Sequence, residues 1–197
     1  MTGRREAKRQ ETRDRLARAA EALFLERGFD ATTVDEIAAA AGVSRRSFFH
    51  HFATKEDVVF AHHADFEAAL LAAIATQPPG EPLLRVVERA IAEVASYMDR
   101  TEALALTRLK HATPALHARN QANYERLERV LATALAERLG TSGDALRARL
   151  VAMVMMGTIR VAAEFWREET LGEETPDAYA RRVFRTLWGD LTEGSVR

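Results

Sequence analysis

The stretch Thr33-Val34-Asp35-Glu36-Ile37-Ala38-Ala39-Ala40-Ala41-Gly42-Val43-Ser44-Arg45-Arg46-Ser47-Phe48-Phe49-His50-His51-Phe52 decides how this chain is read. It holds two short helical patterns joined at a glycine. Thr33 is a cap residue, and Glu36 three positions on completes the reciprocal capping box of a helix start. Val34, Ile37, Ala38 and Ala41 then recur at helical spacing and give one apolar face. Just upstream, Gly28 supplies the left-handed conformation that closes the preceding helix. Gly42-Val43 breaks the pattern, and Ser44 caps the second segment. Two helices of about two turns, joined by a three-residue turn containing glycine, predict a helix-turn-helix. Val43 in the turn is expected to anchor it to the core.

On a helical wheel the second segment divides its roles. Phe48 and Phe52 share a face and are expected inward, whereas Arg45, Arg46, Phe49 and His50 fall on the opposite arc. A short helix with that outward face suits a DNA groove, because arginine pairs bidentately with the major-groove edge of guanine. Phe49 has no polar handle and is suited to a thymine methyl or a sugar. His51 lies between the faces, within reach of a phosphate. Thr33 and Ser44 stand at helix N-termini, where free amides favour phosphate oxygens, and Lys55 is placed to add another phosphate contact. Ser47 completes the candidate DNA-binding set.

Outward from this module, the chain reads as helical almost throughout, rich in Ala, Leu, Arg and Glu. The expected fold class is all-α, with about nine helices near 10–27, 33–40, 44–51, 55–76, 82–99, 102–111, 114–139, 144–169 and 176–191. The breaks fall at Gly28, Gly42, Pro78-Pro79-Gly80-Glu81-Pro82, Pro114, Gly140 to Gly143 and Gly172 to Pro176. A helix-turn-helix DNA-binding domain is expected over 1–55, and a helical ligand-binding and dimerisation domain over 56–197. Residues 1–18 hold seven basic against three acidic side chains, while 61–197 hold 17 against 19. A basic arm on a weakly acidic body points to a polyanion contacted at one end.

Hydrophobic residues make up 47% of the chain and there is no cysteine, so a large core is available and neither disulfides nor thiolate chemistry. The polar Met1–Arg9 start does not read as a secretory signal, and no apolar run reads as a membrane span, so a cytoplasmic protein is expected. No metal-ligand spacing and no glycine-rich phosphate loop stands out. His50-His51 and His62-His63 splay about 100° apart on a helix, and His111 and His117 are split by Pro114. Enzyme activity is therefore not expected, nor a cofactor or metal. The rival reading is a helical protein-interaction module.

The motif resembles the TetR family of bacterial regulators. The resemblance rests on Gly28-Phe29, Thr32-Thr33-Val34, Ile37-Ala38, Ala41-Gly42-Val43-Ser44, Ser47-Phe48-Phe49-His50-His51-Phe52 and Lys55-Glu56. It implies a homodimer that binds a pseudo-palindromic operator and is released when a small molecule enters the C-terminal body. By position, it implies phosphate contacts from Thr33, Ser44, His51 and Lys55. Arg45, Arg46 and His50 would meet base edges or nearby phosphates. The family usually has tyrosine where this chain has Phe49, which removes a phenolic contact to phosphate. The turn-helix segment and Ala112-Thr113-Pro114-Ala115-Leu116 resemble a branch of mycofactocin-type regulators, with which fatty acyl-CoA effectors are associated.

In the body, the helix from Leu146 to Trp166 is apolar around most of its circumference, through Leu150, Val151, Met153 to Met156, Ile159, Val161 and Ala162. One face is expected on the core and another on a partner subunit. The last helix carries Tyr179, Val183, Leu187 and Leu191 in a stripe, with Ala180, Phe184 and Trp188 beside it, and the resemblance implies that the two helices pair across a two-fold. Met98, Met153, Met155 and Met156 offer adaptable apolar surface. Arg108 and Arg160 sit in apolar helices, where burial would demand an anion, either an internal carboxylate such as Glu93 or Glu164, or a ligand. The candidate ligand-binding set is Tyr97, Arg108, Tyr124, Met153, Met156 and Arg160, for a small apolar or acyl-CoA-like effector.

Overall fold

A computed structural model describes residues 2–140, 145–168 and 174–193, with side chains for 4–140, 145–166 and 174–189. Every regular element among them is an α-helix: α1 (Thr2–Arg27), α2 (Val34–Ala40), α3 (Arg45–His51), α4 (Lys55–Val59), α5 (His63–Thr76), α6 (Leu83–Ala95), α7 (Arg100–Ala112), α8 (Pro114–Leu139), α9 (Ala145–Glu168) and α10 (Pro176–Glu193). The first helix starts well before residue 10. The helix expected over 55–76 is two, because a turn at Phe60–His62 ends α4 and begins α5. Lys55–Thr76 is also the one described stretch whose length and mean hydropathy of 1.4 match a membrane span. Split at the turn, neither half is long enough to cross a bilayer. Parts of the expected breaks at Gly140 to Gly143 and Gly172 to Pro176 fall on 141–144 and 169–173, outside the described residues.

The chain forms two compact units. The first comprises residues 1–64 with 108–117, so it runs beyond residue 55 and takes in a distant segment. Its core is set by α1, which buries Leu16, Ala17, Ala20 and Phe24 in its helical stripe, together with Ile37, Phe48 and Val58. Gly28 ends α1 at φ +85°, and its amide donates to Phe24 O at 2.9 Å. Buried Thr32 holds the following loop by donating from Oγ1 to Gly28 O at 2.8 Å. Val58 and Val59 are buried as well, and α4 packs against α1. These contacts carry the unit past Lys55. From the distant segment, the Nζ of Lys110 lies 3.3 Å from Nε2 of His63 and 5.3 Å from the Phe60 ring centre. Burial pulls the Lys110 amine down to about 8, against the opposing pull of Glu21.

The second unit comprises residues 65–107 and 118–197. Its core joins Leu70, Val87, Leu131, Leu135, Met155 and Phe184, and α6 packs against both α9 and α10. Pro114 and Pro176 stand first in α8 and α10, where proline loses no hydrogen bond. Tyr179 and Phe184 are buried and Val183 and Leu187 partly so, as the stripe requires, but the side chain of Leu191 lies outside the described residues. A satellite cluster stacks Trp166 on Tyr179 at 5.6 Å and 18°, beside Ala103.

Candidate nucleic-acid interface

The short helix α3 is defined by its ends. Ser44 Oγ accepts from Ser47 N at 3.1 Å, and Phe52 closes the helix with its amide on Phe48 O. Phe48 and Phe52 lie inward, fully buried and nearly so, with ring centroids 5.8 Å apart. Arg45, Arg46, Phe49 and His50 are exposed, on the arc where helical spacing places them. Val43 is half-buried in the turn beneath them, and Gly42 takes φ +67°.

The outward arc has internal structure that the sequence did not signal. Asp35 on α2 holds Arg45, with Nη1 to Oδ2 at 2.6 Å, and the Arg45 guanidinium lies 5.4 Å from the Phe49 ring centre. Arg46 makes no ion pair among the described residues, so it is the freer of the two arginines. Phe49 stands edge-on to Phe48 at 5.4 Å, which fixes an exposed aromatic ring in place.

The residues expected at the DNA backbone divide less evenly. Thr33 closes the expected capping box: its amide donates to Glu36 Oε2 at 2.8 Å and its Oγ1 accepts from Glu36 N at 3.2 Å. The amide and the hydroxyl of Thr33, each donating to Glu36 Oε2 at 2.8 Å, hold the Glu36 carboxyl below its usual range. Lys55 commits two of its three ammonium protons inside the unit, to Phe29 O at 2.7 Å and Thr32 O at 2.9 Å, above the Phe29 ring. It therefore clamps the α1–α2 loop, a job that no local spacing announces. His51 is half-buried, and its imidazole pKa is lowered by burial first and then by His50, Arg9 and Arg13. Arg13 ties the end of α3 to α1, donating to His51 O at 3.1 Å and Ala61 O at 3.3 Å while lying 4.4 Å over Phe52. It reads as one charge in a basic run, and its clamping role shows only in the fold.

The candidate ligand residues scatter. Arg108 and Arg160 are both exposed, so the burial that would have demanded an anion does not occur; each occupies the open face of its helix. Tyr97 is 82% exposed and Met153 49%, and neither lines an interior. Met156 is buried in the second core and Tyr124 packs against it. Burial raises the Tyr124 phenol pKa, a hydrogen bond from Asn120 opposes this, and Glu164 and Arg160 act on it with opposite signs. Tyr124, Met156 and Arg160 thus share one region, while Arg108 belongs to the other compact unit. Sequence reasoning missed Trp166, whose buried Nε1, like Nε of Arg100, finds no acceptor among the described residues. His111 and His117, expected apart, meet at 5.1 Å across the α7–α8 junction. No group of three potential metal ligands occurs among the described residues.

Comparison with known proteins agrees with this geometry. Residues 16–62 match the family described as bacterial regulatory proteins, tetR family, and residues 81–191 match the MftR C-terminal domain. The chain is 35% identical over 173 residues to the transcriptional regulator TcmR of Streptomyces glaucescens, covering 83% of this chain and 76% of that one. It is 30% identical over 155 residues to MftR of Mycobacterium tuberculosis, named as a regulator of mycofactocin biosynthesis, covering 76% and 77%. The crystal structure of Thermus thermophilus FadR, a transcriptional repressor in complex with lauroyl-CoA, aligns at a TM-score of 0.56 and 26% identity over 89% of this chain and 93% of FadR. This chain belongs to the tetR family of bacterial regulatory proteins.

Proposed function

We propose that the chain is a transcriptional repressor that binds a palindromic operator as a homodimer and leaves it when a small amphipathic effector is bound. The carrying observation is the exposed arc of Arg45, Arg46, Phe49 and His50 on a helix capped at Ser44 and seated through Phe48. On this reading Arg46 reads base edges directly, and Arg45 does so once it leaves Asp35. Ser44, Ser47, Thr33 and His51 set the register on phosphates, and the remaining Lys55 proton adds to them. The DNA-binding domain, placed at 1–55 from sequence, would then work within the larger first unit.

The dimer is supported by α9. Leu146, Leu150, Met153, Val161 and Phe165 are exposed along one stripe, 45–69% each, with Gly157 in its midst. An apolar stripe of that length is what a partner helix covers. For the effector, Tyr124, Met156 and Arg160 offer an apolar wall beside a cation, and the buried Trp166 and Arg100 nitrogens offer unused donors. An acyl-CoA-like molecule suits that combination, and lauroyl-CoA is the ligand of the FadR complex. The protein would act in the cytoplasm, as a regulator and not an enzyme.

A gel shift on the DNA upstream of the chain's own coding sequence tests the reading. Wild type is expected to shift it with a steep salt dependence, and Arg46→Ala to lose about 1–3 kcal/mol of specific binding. Specific binding that survives Arg46→Ala unchanged overturns it. Native mass spectrometry of the purified protein, with thermal shifts in lauroyl-CoA, tests the effector.

A further inference from the structure

A groove runs between the first turns of α1 and the end of α3. Its wall on α1 carries Arg5, Glu6, Lys8, Arg9 and Thr12, and its wall on α3 carries His50 and His51. Arg5, Lys8, Arg9 and Thr12 follow the spacing of a single helix face. Thr12 is already satisfied, donating from Oγ1 to Lys8 O at 2.9 Å, so the polar character of the groove is cationic. None of Arg5, Lys8 and Arg9 pairs with a carboxylate among the described residues, although Glu6 lines the same groove. The walls are fixed to each other: Arg13, one turn beyond Arg9, holds His51 O and Ala61 O and lies on Phe52. The α3 wall belongs to the segment that matches the family, 16–62, whereas the whole α1 wall lies ahead of it.

We propose that this groove is a second cradle for the DNA backbone, in which Arg5, Lys8, Arg9 and His50 hold a phosphodiester at the edge of the major groove that α3 enters. The inference rests on the operator-binding reading above. Three cations with no carboxylate partner among the described residues, on one wall facing two imidazoles, fit a polyanion with regularly spaced single charges. They do not present a base-reading pattern, because the three cations stand on α1 and only His50 of the exposed arc of α3 shares the groove. The cradle adds affinity without adding sequence preference, and its contribution is screened by salt.

The test uses the full-length protein and a 30-base-pair duplex that it selects from a random library, with a scrambled duplex as control, read by fluorescence anisotropy across a salt series. Arg5→Gln with Lys8→Gln and Arg9→Gln should lower the slope of log affinity against log salt by about 0.9 per phosphate lost per protomer. At moderate salt the affinity should fall at least tenfold, while the selected-to-scrambled ratio stays within about twofold. Arg5→Lys with Arg9→Lys should keep the wild-type slope, and Glu6→Gln should tighten binding a few-fold. An unchanged slope in the triple variant overturns the cradle. A collapse of the selected-to-scrambled ratio overturns it too, since the residues would then act through α3. Arg46→Ala separates the two claims: if it leaves the ratio intact, the operator reading fails, and the salt slope on scrambled DNA still decides the groove.

Discussion

The two compact units are made of the same kind of helix, yet they differ in what they leave on their surface. The first turns polar and charged side chains outward from a small core, and its apolar residues are almost all consumed; Phe49 and Leu25 are the large ones left exposed. The second keeps a surplus, with five large apolar residues exposed along α9 alone. The contrast teaches how each surface recognises. A surface of cations and caps meets a charged, hydrated partner, and its energy depends on salt. A surplus apolar stripe meets a partner that can exclude water, and its energy follows buried area.

That contrast can be broken by substitution, and the largest effect lies in the smaller core. Phe48→Ala should destabilise the first unit by about 3–5 kcal/mol, since a fully buried ring leaves a cavity. Specific DNA binding should go with it, while sedimentation reports the wild-type oligomeric state. Leu150→Glu with Phe165→Glu should do the opposite, raising the dissociation constant of the proposed dimer by about a thousandfold or more, near 4 kcal/mol. Circular dichroism should still show a folded helical chain.

Lys110 sharpens the comparison, because it places a desolvated amine inside the cationic unit. Lys110→Met should raise the unfolding free energy at pH 7 by about 2 kcal/mol, as the depressed pKa marks a penalty on the charged form. Wild type should gain stability as the pH rises from about 8 to 10.5, where the unfolded chain still holds a proton that the folded one has released. Below pH 8 the penalty is constant, and in the variant that slope should vanish. Thr33→Ala should cost about 1 kcal/mol in urea unfolding, the usual loss of a helix cap. The smallest effect expected is that of Phe49→Tyr, which restores a hydroxyl to the reading face and should tighten operator binding by about 0.5–1 kcal/mol.

The helix-turn-helix was legible because its determinants are local. Thr33, Glu36, Gly42 and Ser44 each act within four residues, and the structure places each where its spacing requires. The features that escaped are set by distant partners. The turn at Phe60–His62 lies in an apolar run that reads as one helix, and Ala61 O is held there by Arg13, 48 residues away. Lys55 looks like a surface cation until the loop carbonyls it holds are seen. The burial expected of Arg108 and Arg160 fails for the converse reason. Apolar neighbours along a helix imply burial only if another element covers that side, and both side chains are exposed. The candidate ligand set is the least legible part, since side chains that line a shared space need no common spacing.

The loop between α1 and α2 carries one more consequence. Lys55 fixes it from α4, Thr32 fixes it from within, Gly28 closes α1 on one side and the capping box at Thr33 opens α2 on the other. The first unit thus meets DNA with its local shape already set. Encounter is then a rigid docking event, timed by diffusion and electrostatic steering and not by refolding of the loop. Operator variants that differ by a base pair should capture the protein at similar rates and differ in how long they keep it. Dwell time, not arrival, would carry the discrimination.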